Sequence, residues 1–171
     1  MNVRIPAGLA ASLMGLAALA PAQAPSRFVQ VQLENTIKTK KAKVGDKVKA
    51  KAIADAALVN GPKIAAGDEF LGHVRAVDEN SLAISFDEVT VKGKKTPFAL
   101  SIRAAMMPGA SPSEREGAVA ESGAVIGMPG VTLHIDDTPQ HASKFQSTGK
   151  DLQLKEGLNL MLGAPEGTPA P

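Results

Sequence analysis

The stretch IKTKKAKVGDKVKAKAIA, from Ile37 to Ala54, decides the fold because its pattern changes at Gly45. It contains seven lysines and a single acidic residue. After Gly45, lysine alternates with small apolar residues in the order Lys47, Val48, Lys49, Ala50, Lys51 and Ala52. A period of two is typical of a β-strand with one face in water. The stretch therefore predicts a strand whose lysines face solvent.

The same alternation continues along the chain from Arg27 onward. Turn-forming groups, among them Asn60-Gly61-Pro62 and Lys92-Gly93-Lys94, separate the alternating segments. Short antiparallel strands with frequent turns are typical of a barrel or a sandwich. We therefore expect one all-β domain over residues 27–163, followed by a flexible tail at 164–171.

Two local features are expected within this domain. The apolar phase shifts between Phe86 and Val89, which predicts a β-bulge near Asp87-Glu88. Three glycines, Gly45, Gly67 and Gly157, each introduce an alternating strand, and glycine is the residue that most readily adopts a positive φ in such a turn. An internal duplication and independent tight turns both explain this recurrence.

Residues 105–124, AAMMPGASPSEREGAVAESG, interrupt the strand pattern. They are rich in glycine, alanine, serine and proline. Ser111 and Glu114 have capping-box spacing, with Pro112 at the first helical position. We expect an excursion between two groups of strands, with a short helix over about 112–120.

The N-terminus has the organisation of a secretory signal. Arg4 precedes an apolar stretch over 7–20, and small residues follow at cleavage spacing. Cleavage after Ala22 is the first expectation, with Ala24 as the alternative, so the signal covers 1–22 or 1–24. The other interpretation, an uncleaved anchor, needs about 20 apolar residues, more than this run provides. The mature chain is expected in the periplasm or outside the cell, without a transmembrane span.

Composition limits the classes of function. The 171 residues have a net charge of +2, no cysteine, five phenylalanines, and neither tryptophan nor tyrosine. Disulfides and thiolate sites are excluded, and the aromatic rings that usually stack on nucleic-acid bases are scarce. No nucleic-acid partner and no cofactor are expected. Four lysines before Gly45 predict weak contact with an anionic surface: Lys38, Lys40, Lys41 and Lys43.

Signatures of catalysis are weak. The sequence has no nucleophile elbow and no phosphate-binding loop. His134, Asp136 and His141, with Asp137 beside them, are candidate metal ligands, and zinc requires three or four converging groups. We expect a binding protein with no metal rather than an enzyme. The alternatives are a metal-dependent hydrolase using these three residues and a carrier of a small apolar ligand in the barrel mouth.

Two stretches resemble the TrbI-like domain, the β-barrel subunit of the outer-membrane core of type IV secretion systems. ALVNGPKIAAGDEFLGHVRAV (57–77) resembles a segment in which a glycine at the position of Gly67 precedes a strand, and GKDLQLKEGLNLMLGA (149–164) resembles the closing segment, with Gly157 in the matching turn. The resemblance spans about residues 28–163. Where that family carries a long antenna insertion, this sequence has the short excursion at 105–124, and we expect a signal peptide in place of the family's N-terminal anchor. The resemblance implies a barrel and a scaffold or interaction role, with another envelope protein as partner.

Overall fold

The computed structural model describes residues 26–109, 123–135 and 142–164. All regular secondary structure in these ranges is β-strand, so the predicted all-β class is confirmed. The predicted signal peptide, the predicted helix at 112–120 and residues 165–171 of the predicted tail lie outside the described residues. The strands are β1 (Phe28–Leu33), β2 (Ile37–Lys38), β3 (Lys47–Ala52), β4 (Ala56–Ala57), β5 (Lys63–Ile64), β6 (Glu69–Val77), β7 (Ser81–Val91), β8 (Lys94–Met106), β9 (Ala124–Ile126), β10 (Val131–Ile135), β11 (Ser143–Ser147), β12 (Gln153–Leu154) and β13 (Asn159–Gly163).

Six antiparallel strands form a closed barrel in the order β7, β6, β3, β1, β13 and β8, and β8 pairs with β7 again. Closure joins the two ends of the domain, because Val31 of β1 lies opposite Leu160 of β13, and Gln32 lies opposite Asn159. Of the two architectures expected from the sequence, the chain adopts the barrel.

The strands alternate in direction, so the connections between them lie at two opposite ends of the barrel. The β1–β3 and β6–β7 connections share one end, which we name the β1–β3 end. The β3–β6 and β7–β8 connections share the other, the β3–β6 end. Ile37 to Ala54 therefore starts in a connection at the β1–β3 end and continues down a barrel strand.

The predicted bulge lies in β7 at Asp87. Phe86 pairs with Gly72 and Glu88 pairs with Leu71, so Asp87 has no residue opposite it in β6. The pairing of β7 with β8 also passes over Asp87. The extra residue keeps apolar side chains inside on both sides of the shift, and it turns two consecutive carboxylates outward.

Three strands extend the sheet beyond the barrel. The hairpin of β10 and β11 pairs with β7 through β11, and β9 runs parallel to β8. Ser143 is buried, and its hydroxyl accepts a hydrogen bond from the Ile102 N–H at 2.8 Å and donates one to the Ile102 carbonyl at 2.9 Å. This side chain links β11 to β8.

The interior of the barrel is filled by side chains from every barrel strand. Phe70 and Phe86 are among its largest residues, and Phe145 of the neighbouring strand β11 belongs to the same core; all three have almost no exposed surface. Buried aliphatic residues from the barrel strands belong to the same core. Examples from the six strands are Leu33, Val48, Val74, Ile84, Leu100 and Leu160.

The three glycines singled out in the sequence occupy turns of one kind. Gly45, Gly67 and Gly157 have φ values of 92°, 94° and 89°. Each donates its backbone N–H to a neighbouring strand at 2.8 Å, to the carbonyls of Val74, Ala52 and Leu33 respectively. The recurrence in the sequence therefore corresponds to one structural device, a glycine turn that ties the start of a strand to its neighbour.

Candidate functional site

The lysines of β3 form the outer face of that strand. Lys47, Lys49 and Lys51 are exposed and the residues between them are buried, which confirms the predicted strand with one face in water. The Glu34 carboxylate lies 2.8 Å from the Lys51 ammonium, and this hydrogen bond raises the pKa of Lys51. On β6, Glu69 lies opposite Lys51. Acidic groups therefore offset part of the positive charge on this wall.

Compensation continues across the same wall toward β8. The Glu88 carboxylate lies 2.9 Å from the Lys95 ammonium, and the hydrogen bond between them raises the pKa of Lys95. We name the outer face of β3, β6 and β7, together with Lys95, the charged wall. Because both signs of charge alternate here, this wall is a solvated surface with little net attraction for a polyanion.

A polar cluster on the charged wall escaped the sequence analysis. The Arg75 guanidinium donates to the Asp87 carboxylate at 2.9 Å and to the Ser85 hydroxyl at 2.7 Å, and His73 Nδ1 lies 3.1 Å from Asp87. Serine, histidine and aspartate are thus neighbours, but the serine is bonded to arginine, so the serine–histidine pair of a nucleophilic site is not formed. Two features of the sequence could have indicated this cluster. The alternation places His73 and Arg75 on the outer face of their strand, and the predicted bulge lies at Asp87.

The four lysines before Gly45 occupy a different environment. We name residues 38–44 the basic loop. Lys38, Lys40, Lys41 and Lys43 are all exposed. Lys40 lies 2.8 Å from Asp151, and no other ion pair joins the lysines of this loop to any described residue. The basic loop therefore has a local excess of positive charge that the charged wall lacks.

The basic loop is held firmly at its base. Thr39 is buried. Its backbone N–H donates a hydrogen bond to the Leu152 carbonyl, and its hydroxyl accepts one from the Leu152 N–H. The same hydroxyl donates to the Glu79 carbonyl at 3.2 Å. Ile37 and Lys38 pair with Leu154 and Gln153 in a small two-stranded sheet. The lysines thus project from a fixed backbone.

Beside the basic loop lies an open groove of about 340 Å³. The buried residues Ile37 and Val74 line it, together with three lysines and one acid: Lys38, Lys41, Lys47 and Asp46. The loop ends at Val44, whose surface is 68% exposed. An apolar tip and a positive rim thus occur together at the β1–β3 end.

The candidate metal ligands are only partly described. His134 lies on β10, exposed, with Nε2 3.4 Å from the Thr132 hydroxyl. Asp136 and His141 lie outside the described residues. Within residues 26–109, 123–135 and 142–164, no group of three or more histidine, aspartate or glutamate side chains converges as a metal site.

The β3–β6 end presents apolar surface. Ile53 and Val59 are 41% and 42% exposed, and with Val44 they are the large hydrophobic residues most exposed among those described. An open groove of about 370 Å³ lies nearby, lined by Phe28 and by the backbone and side chains of residues 54–57. This surface could not be predicted from the sequence, because isolated aliphatic residues in connections have no distinctive pattern.

No protein-family model matches this chain, and a search of the curated proteins finds no match. Across the described part of the chain, no helix has the length and apolar character needed to cross a membrane.

Proposed function

We propose that the protein is an exported component of the bacterial envelope that acts by binding, as a scaffold or protein-interaction module whose partner is another envelope protein. The signal-like N-terminus supports export, and the resemblance of 57–77 and 149–164 to TrbI-like domains supports a scaffold role. The closed barrel agrees with the fold that this resemblance implies.

The observation that carries the proposal is the filled barrel. A carrier of an apolar ligand needs a cavity that buries most of the ligand, usually several hundred Å³ in volume. Here Phe70 and Phe86 are on barrel strands and have about 1% of their surface exposed, and Leu33, Ile84 and Leu100 are buried as deeply. The described grooves are open surface features. A solid barrel favours function through its outer surface.

The β3–β6 end is the surface best suited to a protein partner. Ile53 and Val59 project apolar area into solvent beside the groove at Phe28. Protein interfaces bury such groups in a central patch with a polar rim. Here Asp55 and Lys63 supply polar groups within the same connection.

Site-specific photo-crosslinking in the producing cells tests the proposal. A benzoylphenylalanine at Val59 or Ile53 should yield an adduct with an envelope protein. The same group at Lys49, an exposed position in the middle of the charged wall, is the matched control and should yield little adduct. Adducts that are absent at all three positions, or equal at all three, would contradict an interaction surface at this end.

Cell fractionation with N-terminal sequencing tests the proposed cellular location separately. The mature chain is expected in the envelope or outside the cell, beginning at Gln23 or Pro25. An intact N-terminus at Met1 in a cytoplasmic fraction would remove the export part of the proposal.

A further inference from the structure

The basic loop concentrates positive charge that the rest of the described chain does not neutralise. Lys38, Lys41 and Lys43 form no ion pair with a described residue, and even Lys40, which faces Asp151, keeps 73% of its side chain exposed. On β3, Lys51 differs, because the Glu34 carboxylate lies 2.8 Å from its ammonium and Glu69 lies opposite it. Attraction for an anionic surface should therefore come from the basic loop.

The three glycine turns provide an internal comparison for the loop tip. The residue before the glycine is Val44 in the first turn, Ala66 in the second and Glu156 in the third. All three glycines have the same backbone conformation, with φ near 90°. The turn geometry therefore does not require an apolar residue at this position. Val44 is a large aliphatic side chain held in water at the end of a lysine-rich loop.

An exposed aliphatic tip bordered by lysines suits the boundary of a lipid bilayer. Lysines approach anionic headgroups, and the apolar side chain enters the region below them. A polyanion that binds through charge alone would need the lysines but would gain nothing from Val44. The fixed base at Thr39 also presents the charges without a large ordering cost on binding.

We infer that the basic loop is a docking site for an anionic lipid surface, in which Lys38, Lys41 and Lys43 contact headgroups and Val44 enters the interface. This site is separate from the protein-contact surface at the β3–β6 end, so either one can fail without the other. Each lysine that reaches an anionic surface strengthens binding by about fivefold. Loss of all three should weaken binding on the order of 100-fold.

Vesicle sedimentation with the purified protein tests the site, after its N-terminus has been determined. The probe is a phosphatidylcholine vesicle with and without one third phosphatidylglycerol. Binding should require phosphatidylglycerol and should be much weaker at about 150 mM salt than at about 10 mM, because the screening length falls from ~30 Å to ~8 Å. Substituting Lys38, Lys41 and Lys43 by glutamine should abolish measurable binding.

Two matched controls sharpen the result. Lys63, Lys92 and Lys94→Gln removes the same charge from the β3–β6 end and should leave binding nearly unchanged. Val44→Thr should weaken binding severalfold, whereas Val59→Thr at the other end should not.

Three outcomes would overturn the inference. The first is equal loss in both triple variants, which would indicate a net-charge effect. The second is binding insensitive to salt and to phosphatidylglycerol. The third is an unchanged Val44→Thr variant combined with full displacement by soluble polyglutamate, which would indicate an acidic protein partner instead of a lipid surface.

Discussion

The lysines on the two sides of Gly45 belong to one stretch of sequence but to two kinds of structure. Those before Gly45 lie in the basic loop, where only the Lys40 side chain forms an ion pair with a described acid. Those after it lie on β3, where the residues between them are buried and Lys51 faces Glu34 and Glu69. Similar composition therefore has different consequences, because pairing with β6 places an acid opposite a β3 lysine, and the basic loop has no such neighbouring strand.

The two halves also depend on different parts of the chain for support. The basic loop is tied to β12 and to Leu152, near the C-terminal end of the described chain, whereas β3 is held by β1 and β6. Removing the C-terminal strands and substituting residues of β3 should therefore have different effects on the protein.

Deleting Leu158–Pro171 should have the largest effect. Without β13, both β1 and β8 lose a paired neighbour and the barrel cannot close. We expect loss of the cooperative thermal transition, followed by circular dichroism. Deleting only 165–171 is the control, because β13 ends at Gly163, and it should leave the transition in place. A cooperative transition at a similar temperature after the longer deletion would contradict closure by β13.

Val48→Asp should come next, because Val48 is fully buried between two exposed lysines. An unpaired carboxylate in the core should lower the free energy of unfolding by more than about 4 kcal/mol. Lys49→Asp, one position along the strand, should cost far less. Chemical denaturation of both variants measures the difference, and similar losses would mean that β3 does not have one wet face and one dry face.

Much of this fold could be predicted because a period of two is a strong signal in half-buried strands. Val48, flanked by Lys47 and Lys49, specified a wet-faced strand, and the phase shift after Phe86 specified the bulge. A second irregularity near Arg75 was missed. The alternation predicts that Ala76 is buried like Val74, but the register between β6 and β7 shifts between these two residues and Ala76 is exposed. Pairing with β7, which the pattern of β6 alone does not reveal, decides the face that Ala76 occupies.

The candidate sites were less predictable than the fold. The position of the basic loop could be predicted from the lysines between Lys38 and Lys43. Which distant acids approach those lysines, as Asp151 approaches Lys40, could not be predicted. The cluster of His73, Arg75 and Asp87 likewise depends on the register between β6 and β7. Pairing across long sequence separations is fixed by the whole barrel, and a single sequence does not reveal it.

Substitutions in the three glycine turns should have an intermediate effect on stability. The first of these turns, at Gly45, separates the basic loop from β3. Gly67→Val and Gly157→Val should each cost about 1–3 kcal/mol, because valine is strained at positive φ. An added Cβ at Gly67 meets no atom within 4 Å, so the cost is strain rather than a clash. Gly45→Val should cost a similar amount. Unchanged thermal midpoints in all three variants would show that these turns relax without penalty.

The smallest effect on stability is expected from the β3 lysines themselves. Replacing Lys47, Lys49 and Lys51 by glutamine should change the free energy of unfolding by no more than about 0.5 kcal/mol per residue, as for ordinary surface positions. Exposed ion pairs such as Lys51–Glu34 contribute little. Denaturation of the triple variant measures this. A loss of several kcal/mol would mean that the charged wall is a structural requirement.

Closure of the barrel by its first and last strands is the central claim, and an engineered disulfide tests it most directly. Gln32 and Asn159 lie opposite each other near the barrel surface, and the neighbouring Leu33 forms the backbone hydrogen bond to Leu158. Opposite residues that form no backbone hydrogen bonds with each other have Cα atoms about 4.5 Å apart, within the range that a disulfide can span. The native chain has no cysteine, so the bond formed by Gln32→Cys with Asn159→Cys is unambiguous.

Mass spectrometry of the oxidised double variant should show one intramolecular disulfide in nearly all molecules, and thermal stability should be preserved or raised. Gln32→Cys with Thr90→Cys, two positions that do not pair, should remain reduced. Two free thiols in the first variant under conditions of oxidation, or only intermolecular bonds, would contradict a closed barrel.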